Sequence, residues 1–361
     1  MTAPDLWVGE SFIAGSWYLI KGNLADFLNY VEQDAVGPLR MYYNFLSSLR
    51  GLRYYLRQYI LNKYYTRQVS RHYDIDSRIY EMILDDEMLY TCAFFLDEEQ
   101  SLESAQQNKL TTTIDRLSLS YGPVHVLDIG CGWGGLARAL VRQHHEVKVC
   151  GLTISKTQLI SAHKRDVHSL SAEQVNRIEY RLEDYIDHKR SDYYDAVSVV
   201  GMIEHVGLGG YPKFFGQINR FLRPGGTAVV HTIVSPTPAA PTNRWIDRHI
   251  FTGGYAPSIS ELVRAAERAS FRISGVHIYE PLHYRRTIQC WLGNFISNIA
   301  VIRGYLRTLK YTELDIDVFV RTWVFYLSAV RNMFVGSEHR SSHQVVQLVL
   351  RKLGKNEAPQ G

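Results

Sequence analysis

Cysteine is scarce: four residues in 361, at positions 92, 131, 150 and 290. No two of them form a C-x-x-C pair and none neighbours a histidine pattern suited to zinc, which argues against a dithiol redox motif and against a structural metal site. Four reduced thiols and no metal are expected, as in a cytoplasmic protein. Long apolar runs are missing as well. Nowhere do eighteen apolar residues follow one another, so no membrane-crossing helix is expected. The first thirty residues lack the basic start and unbroken apolar stretch of a secretory leader. If a membrane is involved, the protein is expected to lie on its surface, at the cytoplasmic face. Charge of one sign is also weak overall. The net value of +4 does not by itself argue for nucleic acid, and no nucleic-acid motif is present. Apolar residues at 46% and charged residues at 21% describe an ordinary folded chain with ample length for a core.

One absence is local. From Ala35 to Tyr73 there is no Asp or Glu, while Arg40, Arg50, Arg53, Arg57, Lys63, Arg67 and Arg71 alternate with tyrosines such as Tyr42, Tyr54, Tyr59 and Tyr64. Leu49, Leu52, Leu56, Ile60 and Tyr64 recur at helical spacing, which predicts an amphipathic helix. Two uses remain open for it: a solvated helix face, or an interfacial helix docking on anionic lipid with its tyrosines at headgroup depth. Residues 1–70 are therefore read as a small helical, basic-aromatic N-terminal domain, and 71–361 as the main domain.

Between about 120 and 275 short β-branched runs alternate with helical patterns. Strands are expected at Val124–Ile129, Val147–Leu152, Ile178–Leu182, Ala196–Gly201 and Thr227–Ile233. Helices are expected at Gly135–His144, Ser155–Val167 and Tyr211–Leu222, the last stopped by Arg223-Pro224-Gly225-Gly226. The alternation implies an α/β, doubly wound parallel sheet. Residues 286–353 read as a helical insertion forming a C-terminal lid over the substrate pocket, with Trp291, Phe295, Ile299 and Ile302 on one face and Phe319, Trp323, Tyr326 and Val330 on another.

The first strand runs into Asp128-Ile129-Gly130-Cys131-Gly132-Trp133-Gly134-Gly135. Gly130, Gly132 and Gly135 satisfy the dinucleotide spacing G-x-G-x-x-G, a weak signal alone. Asp128 decides between ligands. A carboxylate at this turn repels a pyrophosphate but favours the ammonium and sulfonium of S-adenosylmethionine. The second strand ends in Gly151-Leu152-Thr153-Ile154-Ser155, without the acid that holds a ribose in dinucleotide enzymes, so neutral Thr153 and Gln158 are expected to serve there. Asp184, after the third strand, is placed to accept from an adenine amino group.

These residues resemble the cyclopropane-fatty-acid synthases and their relatives, the mycolic-acid methyltransferases and some plant alkaloid N-methyltransferases. The likeness runs collinearly over about residues 70–350. It is carried by His72-Tyr73-Asp74, by Met88-Leu89-Tyr90-Thr91-Cys92-Ala93-Phe94-Phe95, by the glycine loop with Gly151–Gln158, by Gly201-Met202-Ile203-Glu204-His205-Val206-Gly207 and by Val230-His231-Thr232-Ile233. Leu102-Glu103-Ser104-Ala105-Gln106-Gln107 and His283-Tyr284-Arg285-Arg286-Thr287 add to it. The N-terminus is similar too, through Val8-Gly9-Glu10-Ser11-Phe12, though the segment before His72 is abbreviated.

The resemblance implies a Rossmann-like class I methyltransferase. It carries S-adenosylmethionine contacts to Tyr90, Thr91, Gly130, Thr153, Gln158 and Asp184. It also implies a bicarbonate base held by Cys92, Glu204, His231, Ile233 and Tyr284, with Cys92 and Ile233 contributing backbone groups. Each has an ordinary reading as well: Cys92 as a small core residue, His231 as a satisfied core histidine. At Tyr284 the register competes with Tyr279. The implied activity is methyl transfer to the double bond of an acyl lipid, most simply a phospholipid presented by a membrane surface, giving a cyclopropane or a methyl- or methylene-branched chain. Small-molecule amine N-methylation is the alternative within the family, and an inactive binding protein the alternative outside it. A homodimer is left open.

Overall fold

A strand whose residues are apolar on both faces needs a helical layer on each side, and the chain supplies one after nearly every strand. The computed structural model describes residues 4–34, 76–238, 242–334 and 343–354. The basic amphipathic stretch expected between residues 40 and 71, and the His72-Tyr73-Asp74 motif, lie outside the described residues.

In chain order the elements are α1 (Pro4–Ile13), α2 (Leu24–Asp34), α3 (Ser77–Glu81), α4 (Leu102–Leu117), β1 (Val124–Ile129), α5 (Gly135–Gln143), β2 (Val147–Thr153), α6 (Lys156–Ser169), α7 (Ala172–Val175) and β3 (Ile178–Leu182). They continue with β4 (Tyr194–Val200), α8 (Tyr211–Phe221), β5 (Leu222–Val234), α9 (Arg244–His249), α10 (Ile259–Arg268), β6 (Phe271–Tyr279), α11 (Pro281–Ser297), α12 (Ile299–Thr308), α13 (Glu313–Met333) and β7 (Gln344–Lys352). Helix starts follow the capping chemistry of the sequence. The Ser155 hydroxyl accepts from Gln158 N at the turn out of β2, and Ser258 and Thr312 form capping boxes with Glu261 and Asp315.

The strands form one seven-stranded sheet in the order β3-β2-β1-β4-β5-β7-β6. The first five are parallel; β7 runs antiparallel to both β5 and β6. This is a Rossmann-like class I methyltransferase fold, as the motifs implied. Three expectations need correction. Residues 344–352 are not helical: Gln344–Lys352 is the strand inserted between β5 and β6. Its apolar run is buried on both faces, and such a run carries no period that separates a strand from a buried helix. The sheet also gains β6, whose mixed apolar and polar face gave no clear alternation. Finally, α8 stops at Phe221, and β5 begins at Leu222, running through Pro224-Gly225-Gly226 with a register shift against β4.

Two cores fill the faces of the sheet. On one, Phe214, Phe215 and Phe221 of α8 lie fully buried against Val197, Val199 and Val230, each ring contributing about 2–3 kcal/mol. On the other, Leu110, Ile114 and Leu117 of α4 and Leu136 and Leu140 of α5 cover Val126, Val149 and Val229. A third, aromatic core joins α11, α12 and α13 to α9 and to α1 and α2 of the N-terminal segment, through Trp245, Trp291, Phe295, Trp323 and Phe325. It meets the sheet where Trp133, Tyr90 and Ile233 stand, at the carboxyl ends of the strands.

Candidate active site

Parallel strands deliver loops to their carboxyl edge, and at the switch point between β1 and β4 those loops part. A cavity of about 410 Å³ opens there. All nine residues expected to hold the donor line it: Tyr90, Thr91, Asp128, Gly130, Gly132, Gly135, Thr153, Gln158 and Asp184.

The glycines are needed for two reasons. Gly130 turns at φ +80°, and a Cβ there would stand 2.9 Å from Met202. Gly135 lets the 85–91 segment close on α5, since a Cβ would meet Leu89 at 2.7 Å and the Glu87 carbonyl at 2.8 Å. That segment is held from below. The Asp85 carboxylate accepts from Glu87 N and Leu89 N, and Gln106 donates to the carbonyls of Leu89 and Thr91. Buried Arg138 binds the Glu87 carboxylate at 2.6 Å, the Trp133 carbonyl at 2.7 Å and Asp166 at 3.2 Å. Burial opposes charge on Glu87, but Arg138 and Arg142 hold its carboxyl below the usual range.

Asp128 is 2% exposed, and its carboxylate accepts from the Ser198 hydroxyl at 2.7 Å. Burial pushes it up to about 6, against the pull of that hydrogen bond. A cationic ligand in the cavity would remove the penalty. Thr153 donates to the Gln158 side-chain oxygen at 2.8 Å, which leaves the Gln158 amide donors for a ligand. Asp184 accepts from Ile186 N, and burial raises its carboxyl. Tyr90 and Tyr326 share a hydrogen bond of 2.7 Å, and Thr91 accepts from Lys109 at 2.6 Å. The set fits a ligand with a cationic head, a hydroxylated middle and a flat, hydrogen-bonding end.

The five residues expected around a base fall outside the cavity lining and into three places. Glu204 and Ile233 are together: Glu204 Oε1 accepts from Ile233 N at 2.9 Å. The other oxygen, Oε2, is buried with no partner among the described residues, and burial raises the Glu204 carboxyl. An unmet buried acceptor costs about 1–3 kcal/mol, an expense that a bound donor group would remove. Cys92 and His231 both feel the charge of Lys109. The thiol donates to the Ala93 carbonyl, and burial pushes it far up, so Cys92 is a neutral thiol and no nucleophile. Burial, then the charges of Lys109 and Arg116, push His231 down to about 3, so its imidazole is neutral. Tyr284 comes from α11, half-buried, its ring 4.5 Å from that of Phe334. Tyr279, its competitor in register, is committed elsewhere: its hydroxyl accepts from Arg116 and its ring stacks on Phe94 at 3.8 Å.

Residues 61–347 match the family described as mycolic acid cyclopropane synthetase. The chain belongs to that family. Among relatives, the cyclopropane-fatty-acyl-phospholipid synthase of Escherichia coli (strain K12) is 31% identical over 337 residues, covering 91% of this chain and 80% of that one. A solved cyclopropane synthase of Mycobacterium tuberculosis superposes with a TM-score of 0.69 at 25% identity, over 79% of this chain and 98% of that one. Coclaurine N-methyltransferase, at 17% identity, shares the fold with a TM-score of 0.78 over 96% of this chain and 99% of that one.

Three polar positions at or near the site escaped the sequence reading. Lys109 lines the cavity while 1% exposed, and burial lowers its ammonium to about 8. Its signal was periodic: Leu102, Ala105, Gln106, Lys109, Leu110, Thr113 and Leu117 form the buried face of α4. His205, also in the lining and pushed down by burial to about 4, was named without a role. Gln347 carried no signal, because its strand was read as helix.

Proposed function

We propose that this protein moves the methyl group of S-adenosylmethionine onto the double bond of an unsaturated acyl chain, most simply that of a phospholipid, forming a cyclopropane or a methyl- or methylene-branched product. Bound in place, S-adenosylmethionine supplies the electrophilic methyl and bicarbonate the base for the proton that the new methyl group loses. The chain's own residues bind, orient and exclude water. Asp128 takes the donor's cationic head at the floor of the cavity, Thr153 and Gln158 its ribose, and Asp184 its adenine. Holding a weak π nucleophile close to the methyl in a dry site is the main requirement of the chemistry.

Glu204, His231 and Tyr284, with the backbone at Cys92 and Ile233, are the groups suited to bicarbonate. A raised Glu204 carboxyl can share its proton with that anion, where a carboxylate would repel it. The aromatic layer of Tyr80, Tyr90, Trp133 and Trp291 beside the cavity suits an apolar chain, and ring faces there can steady the cationic charge that develops on it. No helix among the described residues is long and apolar enough to cross a membrane. The proposed source of the acyl chain is a membrane surface.

The observation that carries the reading is the buried Glu204 carboxyl with one oxygen unmet, beside a cavity whose floor is a buried Asp. The test is incubation with methyl-labelled S-adenosylmethionine and a lipid extract, followed by mass spectrometry of the fatty acids. Unsaturated chains heavier by one methylene unit are expected. Label confined to amines would overturn the lipid reading in favour of N-methylation.

A further inference from the structure

The antiparallel register of β5 and β7 sets Gln347 directly opposite His231. Cross-strand partners share one face of the sheet, and their side chains are neighbours. Gln347 is fully buried, and its side-chain nitrogen lies 3.3 Å from His231 Nδ1. Which way the amide points, and which imidazole nitrogen carries the proton, follow from the groups behind it on α4. Arg116 has donors and no acceptor, so the Gln347 oxygen that meets its guanidinium must accept. The Thr113 hydroxyl gives its proton to the Lys109 carbonyl at 2.7 Å and is therefore the acceptor for Gln347 Nε2 at 2.9 Å. Two independent contacts thus put the Gln347 NH2 toward His231. A donor facing Nδ1 requires that Nδ1 be an acceptor.

We propose that Gln347, oriented by Arg116 and Thr113, is a positioning residue that fixes His231 as the neutral tautomer protonated on Nε2, so that the imidazole offers an N–H donor to the anion at the site. The cations nearest the ring, Lys109 and Arg116, oppose a second proton, in accord with the downward shift of His231. Phe94, stacked on the imidazole with centroids 5.8 Å apart and planes 28° apart, limits its rotation. A ring held in one tautomer and one plane donates without reorganising, which is what an oriented anion requires. The tautomer itself stands on the packing alone; its use in turnover rests on the proposed function.

Nitrogen-15 spectroscopy of the full-length protein, labelled in histidine, tests it. The His231 signals are assigned by their disappearance in His231→Asn. The expected spectrum of the unsubstituted protein shows Nδ1 unprotonated and Nε2 protonated. In Gln347→Glu the side chain can only accept, and the proton is expected to appear on Nδ1. A protonated Nδ1 in the unsubstituted protein overturns the proposal whether or not the variant folds, and so does an unchanged tautomer in folded Gln347→Glu. Kinetics supply the second readout: kcat is expected to fall about 10–100-fold in Gln347→Glu, as for other residues that orient a working imidazole, with KM for S-adenosylmethionine unchanged. A reversed tautomer with kcat unaltered overturns the positioning role. Failure of lipid methylation in the unsubstituted protein falls instead on the proposed function, leaving the spectrum to decide the tautomer.

Discussion

The donor cavity and the residues expected around the base, Glu204 with Ile233 and His231 with Gln347, are built differently. The cavity is assembled from contiguous runs: the glycine loop after β1, the Thr153–Gln158 turn after β2, Asp184 after β3 and the 85–91 segment held against α5. The second cluster is assembled across strands. Glu204 follows β4, His231 and Ile233 end β5, Gln347 stands in β7, and Lys109, Thr113 and Arg116 reach it from α4. Local loops make a binding site that one stretch of chain can specify. Register makes a polar network that no single stretch specifies.

The largest expected effect falls on the frame of the first region. Arg138→Met removes a buried guanidinium from Glu87, Asp166 and the Trp133 carbonyl, leaving Asp166 without its cation and Glu87 with Arg142 alone. Denaturant unfolding should show a loss of about 3–5 kcal/mol, and an unchanged midpoint would break the claim that this network holds the cavity together.

Asp128→Ala should abolish donor binding by calorimetry, a loss of about 3 kcal/mol or more, since a cationic ligand would lose the most deeply buried carboxylate among the described residues that line the cavity. Tight binding by that variant would detach the glycine loop from the sulfonium reading.

Glu204→Gln separates the two regions. Donor affinity should hold while turnover falls about a hundredfold, because the substitution replaces the carboxyl to which the proposed function gives the orienting of the base. Full activity in this variant would refute the role given to Glu204.

The two regions should also differ in pH response. Burial pushes the Asp128 carboxyl up to about 6, and only its carboxylate form attracts a cation. Donor affinity should therefore weaken about tenfold per unit below that value, hold above it, and change again only near 8, where Lys109 in the same lining loses its charge. His231, at about 3, stays neutral throughout that range and adds no dependence of its own. Calorimetry from pH 5 to 8 checks this, and affinity that rises on acidification would reverse the assignment. The smallest effect belongs to the capping boxes. Ser258→Ala should cost about 1 kcal/mol of stability and leave binding untouched.

Legibility followed the same division. Asp128, the glycines, Thr153, Gln158 and Asp184 were readable because a strand, a tight turn and a helix follow one another within a few residues, and their chemistry is local. Lys109 was half-readable: its place on the buried face of α4 follows from spacing, but its partners Thr91, Asp85 and Cys92 do not. The strand at Gln344–Lys352 was misread because an apolar run buried on both faces has no period of its own. Only pairing with β5 and β6 makes it a strand.

The amino-acid sequence by itself determined the alternating layers, the glycine turn and the carboxylate beneath it, because backbone sterics and side-chain period act over neighbouring residues. The tertiary structure alone decided that Gln347 faces His231, that Lys109 is an interior charge and that Glu204 keeps one oxygen unmet. Those depend on strand register and on desolvation, which arise only when distant segments are brought together and water is expelled between them.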